Sequence, residues 1–358
     1  NHSANRAKEY YFWRLCDELW NNDDVPEPLM VKHPWAEEMI KAVIRNKYVA
    51  VGGAANSGKS HTMAAWGILN WLAAPRDTLV LLTSTTLREA RKRIWGSVVS
   101  LLMVIEGAPI RIRDSIGNAA YETESGNLIE RAGLSLIAAE KSKTKEAIGK
   151  FIGLKQKRLI LIADELSEIS PAIIQASLSN LSKNERFELV GLANPNSRFD
   201  AFGEWSTPDG GWEAVDTNTS YGWRTKWGGE YVRFDAEQSP RILEEKAFTD
   251  EERAAGKTSK FFWQPDQAYC DRIADNRGGK KSRGYFRFVK AFWCPDGAAN
   301  SIYSEVEFLT GCALDEREPN WDQNPFTLSS IDPAFSRGGD RSQSAYGKLG
   351  TVAGRSHL

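Results

Sequence analysis

A chain of 358 residues, 41% hydrophobic and 26% charged, has the apolar content to bury a sizeable core, is long enough for roughly two domains of about 150 residues, and is not low-complexity. Its net charge of −1 means that a nucleic-acid partner would have to be held by a local basic surface rather than by a global field. Cys16, Cys270, Cys294 and Cys312 are scattered without C-x-x-C spacing and do not cluster with His2, His33, His61 or His357, which argues against a structural zinc site or a disulfide framework and fits a reducing cytosol. No apolar run approaches the ~18 residues of a membrane span, and no signal peptide heads the chain, whose start at Asn1 rather than Met fits a fragment or a tagged protein.

In chain order, "AKEYYFWRLCDELW" (7–20) reads as an amphipathic helix ended by the polar "NNDDVPEP", and "HPWAEEMIKAVIRN" (33–46) as a second helix. The apolar strand "KYVAVGG" runs into a glycine-bearing loop, and "SHTMAAWGILNWLAA" returns to helical spacing until Pro75. "DTLVLLTS" is a continuous apolar run of strand length, followed by one long helix over 85–105 with a threonine cap. Alternation at "NAAYETESGNLIE" and "GLSLIAAE" predicts further strands, then come strand "RLILIADE", helix "PAIIQASLSNL" and strand "FELVGLANPNS". Strands alternating with helices, several of them apolar throughout, predict an α/β fold whose mainly parallel sheet is covered on both faces. Beyond about Phe199 the texture turns Gly-, Trp- and Asp-rich, and "GGEYVRFDAEQSP" is read as closing a first domain over 1–240. A smaller, helical and charged segment follows, and a third texture begins near Asn300.

The loop "VGGAANSGKSHT" fits G-x-x-x-x-G-K-[ST] through Gly53, Gly58, Lys59 and Ser60, the pattern of a phosphate loop in a P-loop NTPase. Its glycines let successive N–H groups curl around an anion, and the helix that follows adds its positive dipole end. Lys59 would reach the terminal phosphates of ATP and Ser60 would ligate Mg²⁺, with Asn56, Ser57, Gly58 and His61 completing the nucleotide-contacting set. At the end of "RLILIADE", Asp164 would hold the metal and Glu165 would polarise the attacking water, a division of labour suited to in-line displacement. Asn194, at the end of the next core strand, is a candidate sensor of the γ-phosphate; an Asn-Pro turn capping that strand is the other reading. The cation that would offset transition-state charge stays open among Arg88, Arg91, Arg93, Lys150 and Arg158.

Taken in order, "GGAANSGKS", "TSTTLREARKRIW", "LILIADELSEI", "GLANPNSRFDAFGEW" and "LSSIDPAFSRGGDRS" resemble the large terminase subunits of tailed bacteriophages, over nearly the whole chain. The resemblance implies an ATPase domain (1–240), a lid or linker subdomain (241–299) and the start of an RNase H-like nuclease domain (300–358). It places Asp332 on the family's first nuclease carboxylate, a ligand for Mg²⁺ or Mn²⁺, with Asp340 as a helper. Cleavage by two metals needs more carboxylates than appear before Leu358, so the nuclease is expected to be incomplete in this chain. The partners implied are double-stranded DNA, the portal protein, a small terminase subunit and sister copies in a ring on the procapsid, with no membrane, in the cytoplasm of the infected bacterial host. The chain departs from the family where many members carry an arginine in the phosphate loop: Ala54, Ala55, Asn56 and Ser57 stand there. Where many have an Arg-Gly step before the acidic pair, this chain has Ile152-Gly153 with Lys150 beside it, so Lys150 and the Arg88/Arg91/Arg93 helix are the first places to look for the cation.

For DNA contact, residues 278–290 set Lys280, Lys281, Arg283, Arg287 and Lys290 among three aromatics, and "LREARKRIW" offers a second basic face. Two rival readings remain: another kind of P-loop helicase or translocase, and an assembly protein that binds nucleotide without turnover.

Overall fold

The computed structural model describes residues 2–139, 144–151 and 154–294 in full, and the backbone of strands at 327–332, 345–352 and 355–357. Helices α1 (His2–Trp20) and α2 (Pro34–Arg45) precede β1 (Tyr48–Gly53), which leads through the glycine loop into α3 (Lys59–Leu72) and then β2 (Thr78–Ser84). The long helix expected over 85–105 is interrupted: α4 (Leu87–Ala90) passes into a π-turn at Arg91–Trp95 before α5 (Gly96–Met103). Thr86 caps it as expected, its hydroxyl accepting from the Glu89 amide at 3.1 Å. Strands β3 (Ile110–Arg113), β4 (Asn118–Glu122) and β5 (Leu128–Ala138) follow, then α6 (Thr144–Phe151), β6 (Arg158–Asp164), α7 (Pro171–Leu181) and β7 (Arg186–Ala193). Beyond them lie α8 (Ala201–Ser206), β8 (Gly222–Arg224), β9 (Glu230–Phe234) and four short helices, α9 (Pro240–Lys246), α10 (Asp250–Ala254), α11 (Gln267–Asn276) and α12 (Arg283–Tyr285), the last running into a second π-turn, Phe286–Lys290.

The sheet has nine strands in the order β3-β4-β5-β2-β6-β7-β1-β9-β8. Its centre is parallel, from β5 through β2, β6, β7 and β1 to β9, and each edge carries an antiparallel ribbon. The central strands are buried on both faces and alternate between two cores, which is why they read as unbroken apolar runs. Val49, Val51, Val80, Leu82, Ile160 and Ile162 join one core with α1–α5, whereas Ala50, Leu79, Leu81, Leu159, Leu161 and Ala163 join a second with α6–α8. Of the twelve tryptophans among the described residues, eight are buried. Trp20 donates to the Leu101 carbonyl at 2.9 Å and Trp205 to that of Val49 at 3.0 Å, so each ties a helix to its support.

The stretch "GGEYVRFDAEQSP" proves to be a sheet member: β9 lies parallel to β1, with Gly53 opposite Phe234. A third small core joins Ala54 of the loop to Ala236, Ile242, Cys270, Ala274, Tyr285 and Val289, so the helical segment after β9 packs directly on the phosphate loop. Residues Asn1–Cys294 form one compact unit and Pro295–Leu358 another. In the second, β10 (Thr327–Asp332), β11 (Ala345–Val352) and β12 (Arg355–His357) make an antiparallel sheet in that order.

Candidate nucleotide-binding site

β1 delivers Gly53 to the C-terminal edge of the parallel sheet, where an open α/β fold places its ligands. Gly58 is the N-cap of α3, in the left-handed region at φ 80°, and provides no side chain to cap the helix. The first-turn amides of α3 are therefore left for an external acceptor. A Cβ on Gly53 would stand 2.8 Å from Ser57 Oγ and 3.3 Å from Lys59 Nζ, so only glycine lets the lysine fold over the loop. Lys59 Nζ donates to the carbonyls of Gly53 at 2.8 Å and Ala54 at 3.0 Å, and to Ser57 Oγ at 3.0 Å. Burial lowers its pKa to about 8 against the opposing pull of Glu165 and Asp164.

Ser60 Oγ donates to Asp164 Oδ1 at 3.0 Å, joining the start of α3 to the end of β6. Burial, reinforced by neighbouring Glu165, raises the Asp164 pKa to about 6. Its second oxygen, Oδ2, is buried without a hydrogen-bond partner. A buried carboxylate oxygen left over beside a hydroxyl is a hard-oxygen donor set that fits Mg²⁺. Among the described residues no three His, Cys, Asp or Glu side chains cluster to cage a metal. One carboxylate and one hydroxyl suit an ion that keeps waters and borrows substrate phosphates.

Glu165 directly follows β6 at φ 55°, a left-handed conformation that a non-glycine residue adopts only when its surroundings impose it. Arg93 Nη1, from the first π-turn, contacts Glu165 Oε1 at 2.5 Å, and Arg93 also lies 3.8 Å from Glu89. Of the cation candidates, Arg93 is the one the fold brings onto the acidic pair. Arg91 donates instead to the Ser115 carbonyl, while Arg88 and Lys150 are exposed. Arg158 bonds Asn70 at the opposite end of β6, roughly 20 Å of extended strand from Asp164. Asn194 follows β7, whose register sets Ala193 opposite Gly52 and Leu192 opposite Asp164, so it shares the edge with both motifs.

The His61 imidazole is committed elsewhere, 2.7 Å from the Leu29 carbonyl, leaving only its backbone N–H in the first turn of α3 for a phosphate. Sequence reasoning missed His33 and Gln264. His33 caps α2 through Nδ1, sits 3.0 Å from Gln264 Nε2, and its Nε2 would be 3.3 Å from a Cβ on Gly58. Burial lowers its pKa to about 4, so it meets the loop as a neutral ring. The available signal was a histidine before Pro34 at a helix start, read only as part of the helix. Asp332 is the last residue of β10, opposite Ala345, and its side chain and Asp340 lie outside the described residues.

The basic stretch 278–290 is largely consumed internally. Arg283 donates to the Asn196 carbonyl at 3.2 Å, Arg287 to Asn196 Oδ1 and Glu168, and Lys290 to Asp235 and Glu237. Lys280 and Lys281 remain exposed there, as do Arg88 and Lys92 on the other basic stretch. No helix of the described residues is long and apolar enough to cross a membrane.

For a phosphate–Mg²⁺ ligand held at this edge, the two shifted groups would set a pH window. Asp164 is charged above about 6 and Lys59 below about 8, and a phosphate–Mg²⁺ ligand requires both charges. Titration of ATP–Mg²⁺ affinity should therefore show a plateau between those values and weaken on each side, by up to about tenfold per unit. A flat profile from pH 5 to 9 would contradict the site.

The chain matches no protein-family model and no curated protein. Among solved structures it is similar to the Thermus phage P74-26 large terminase ATPase domain, at 13% identity and TM-score 0.49, covering 74% of this chain and 94% of that one. It is similar to the HK97 bacteriophage large terminase at 16% identity and TM-score 0.46, covering 87% of this chain and 59% of that one. It also aligns with a large terminase from a thermophilic bacteriophage in complex with ADP, at 11% identity and TM-score 0.43, covering 88% and 62%. The chain thus spans about three fifths of the length of the latter two, and all three of these solved structures are of bacteriophage large terminases.

Proposed function

We propose that this chain binds ATP with Mg²⁺ at the edge formed by Gly53–Ser60, Asp164 and Glu165, hydrolyses it, and uses the turnover to move double-stranded DNA into a viral procapsid. The observation that carries the ATPase part is the Ser60–Asp164 hydrogen bond, with Lys59 and Glu165 converging on the same strand ends. The amides of the loop and of the first turn of α3 would hold the phosphates, while Lys59 would exchange its two carbonyl partners for phosphate oxygens. Mg²⁺, when bound, would be held by Ser60 and Asp164 and would neutralise phosphate charge. Glu165 would align the attacking water, which requires that its contact with Arg93 yield; Asn194, at the adjacent strand end, would register loss of the γ-phosphate. The Arg93 so released would, after Lys59, be the cation among the described candidates placed to offset transition-state charge.

The packaging part rests on the ordered motifs from "GGAANSGKS" to "LSSIDPAFSRGGDRS" and on the helical segment seated against the loop. In this reading residues 1–240 are the motor, 241–299 the lid and 300–358 the start of a nuclease in which Asp332, with Asp340, would hold a metal in the intact protein. Portal protein, small terminase subunit and sister copies are its expected partners.

The test is ATP hydrolysis at rising protein concentration, with and without double-stranded DNA, beside Lys59→Ala. A rate that climbs more than linearly with protein, increases with DNA and vanishes in the variant is the expected result. A slow, DNA-independent rate unaffected by Lys59→Ala would leave a loop that does not turn nucleotide over.

A further inference from the structure

The second π-turn, Phe286–Lys290, gathers the loops that follow three strands of the sheet. Arg287 Nη2 donates to Glu168 Oε1 at 3.1 Å, and Glu168 closes the short turn whose first carbonyl, that of Glu165, accepts its amide at 2.9 Å. Through Nη1 the same guanidinium donates to Asn196 Oδ1 at 3.1 Å, two residues beyond Asn194. From just before the turn, Arg283 holds the Asn196 carbonyl, and from its end Lys290 holds Asp235, which follows β9. One rigid planar fork thus spans the loop that carries the water-aligning carboxylate and the loop that carries the sensor.

We propose that Arg287 is a positioning residue that passes the state of the nucleotide from the Glu165 and Asn194 loops to the helical segment 240–290. This rests on the ATPase reading above. The two bonds of the fork are satisfied together only when the loops after β6 and β7 keep one spacing. A ligand that repositions Glu165 or Asn194 must therefore stretch a bond or carry the π-turn with it. The π-turn, packed through Val289 on the core that contains Ala54, with Tyr285 of α12 beside it, is the element positioned to respond.

The experiment compares the protein with Arg287→Ala and Arg287→Lys, each checked for cooperative unfolding. It measures affinity for a fluorescent ATP analogue, kcat and KM for ATP, and hydrogen exchange at 283–290 with and without Mg²⁺–ATPγS. In the unsubstituted protein the nucleotide should change exchange at 283–290. Arg287→Ala should bind the analogue within about threefold of normal, lose about tenfold in kcat with KM unchanged, and lose the exchange response. Arg287→Lys should recover less than half of the kcat, because a point charge cannot span both acceptors. The proposal is overturned if nucleotide leaves 283–290 unchanged in the unsubstituted protein, or if Arg287→Ala keeps kcat within twofold. Should Arg287→Ala not fold, a normal kcat and exchange response in Arg287→Lys overturns it. Absence of analogue binding in every chain, by contrast, sinks the ATPase reading itself and the coupling with it.

Discussion

Replacing Glu165 by Gln is expected to lower kcat for ATP by roughly 10²–10⁴-fold while leaving nucleotide affinity nearly unchanged. The amide keeps the shape of the side chain but cannot draw a proton from water, and the groups proposed to hold the ligand (the loop amides, Lys59, Ser60 and Asp164) are untouched. Because Glu165 also meets Arg93 at 2.5 Å, the substitution removes an ion pair as well. Arg93→Gln breaks the same contact and retains the carboxylate, but it also removes the cation proposed to assist, so nucleotide affinity and not rate is what it controls for. Single-turnover hydrolysis with saturating ATP then reports the loss of the carboxylate in Glu165→Gln. A Glu165→Gln protein that turns over within threefold of normal would remove Glu165 from the chemistry and reduce its strained backbone to a turn.

The largest effect on stability is expected from Trp20→Ala, a loss of about 3–5 kcal/mol from cavity formation and lost apolar burial. Trp20 is fully buried at the end of α1, and its indole N–H satisfies the Leu101 carbonyl on α5. It thereby joins the N-terminal helix to the far end of the segment that carries Arg93. Trp20→Phe retains much of the volume and loses the donor, so it should cost less, roughly 1–3 kcal/mol. Urea unfolding followed by circular dichroism measures both, and a Trp20→Ala loss below 1 kcal/mol would show that α1 is not part of the cooperative unit.

What could be seen in the sequence was whatever is local. The phosphate loop lies within eight residues of chain, and "RLILIADE" announces both a strand buried on two faces and the carboxylates at its end, because both are fixed by immediate neighbours. The long helix over 85–105 was legible as a helix, but not its π-turn, since no residue there breaks helical spacing. That turn determines which arginine meets Glu165, a pairing across 72 positions. β9 was hidden for the same reason: its apolar residues read as the end of a domain, and only pairing with β1 makes it a sheet strand. The cations at 283–290 looked like a surface for phosphates; their acceptors, Asn196, Glu168, Asp235 and Glu237, are distant in sequence and nothing local predicts them.

The two ends of the sheet bear on how copies of this chain could meet. β3 is four residues long and carries Arg111 and Arg113, and β8 is three residues long. Both end antiparallel ribbons that flank the parallel centre of the sheet, so the long parallel strands lie inside. Strands this short, one of them charged, are poor templates for backbone pairing with a second molecule. A contact that copies made at either of these edges would then rest on side chains and loops and could be broken without unzipping a ladder of hydrogen bonds.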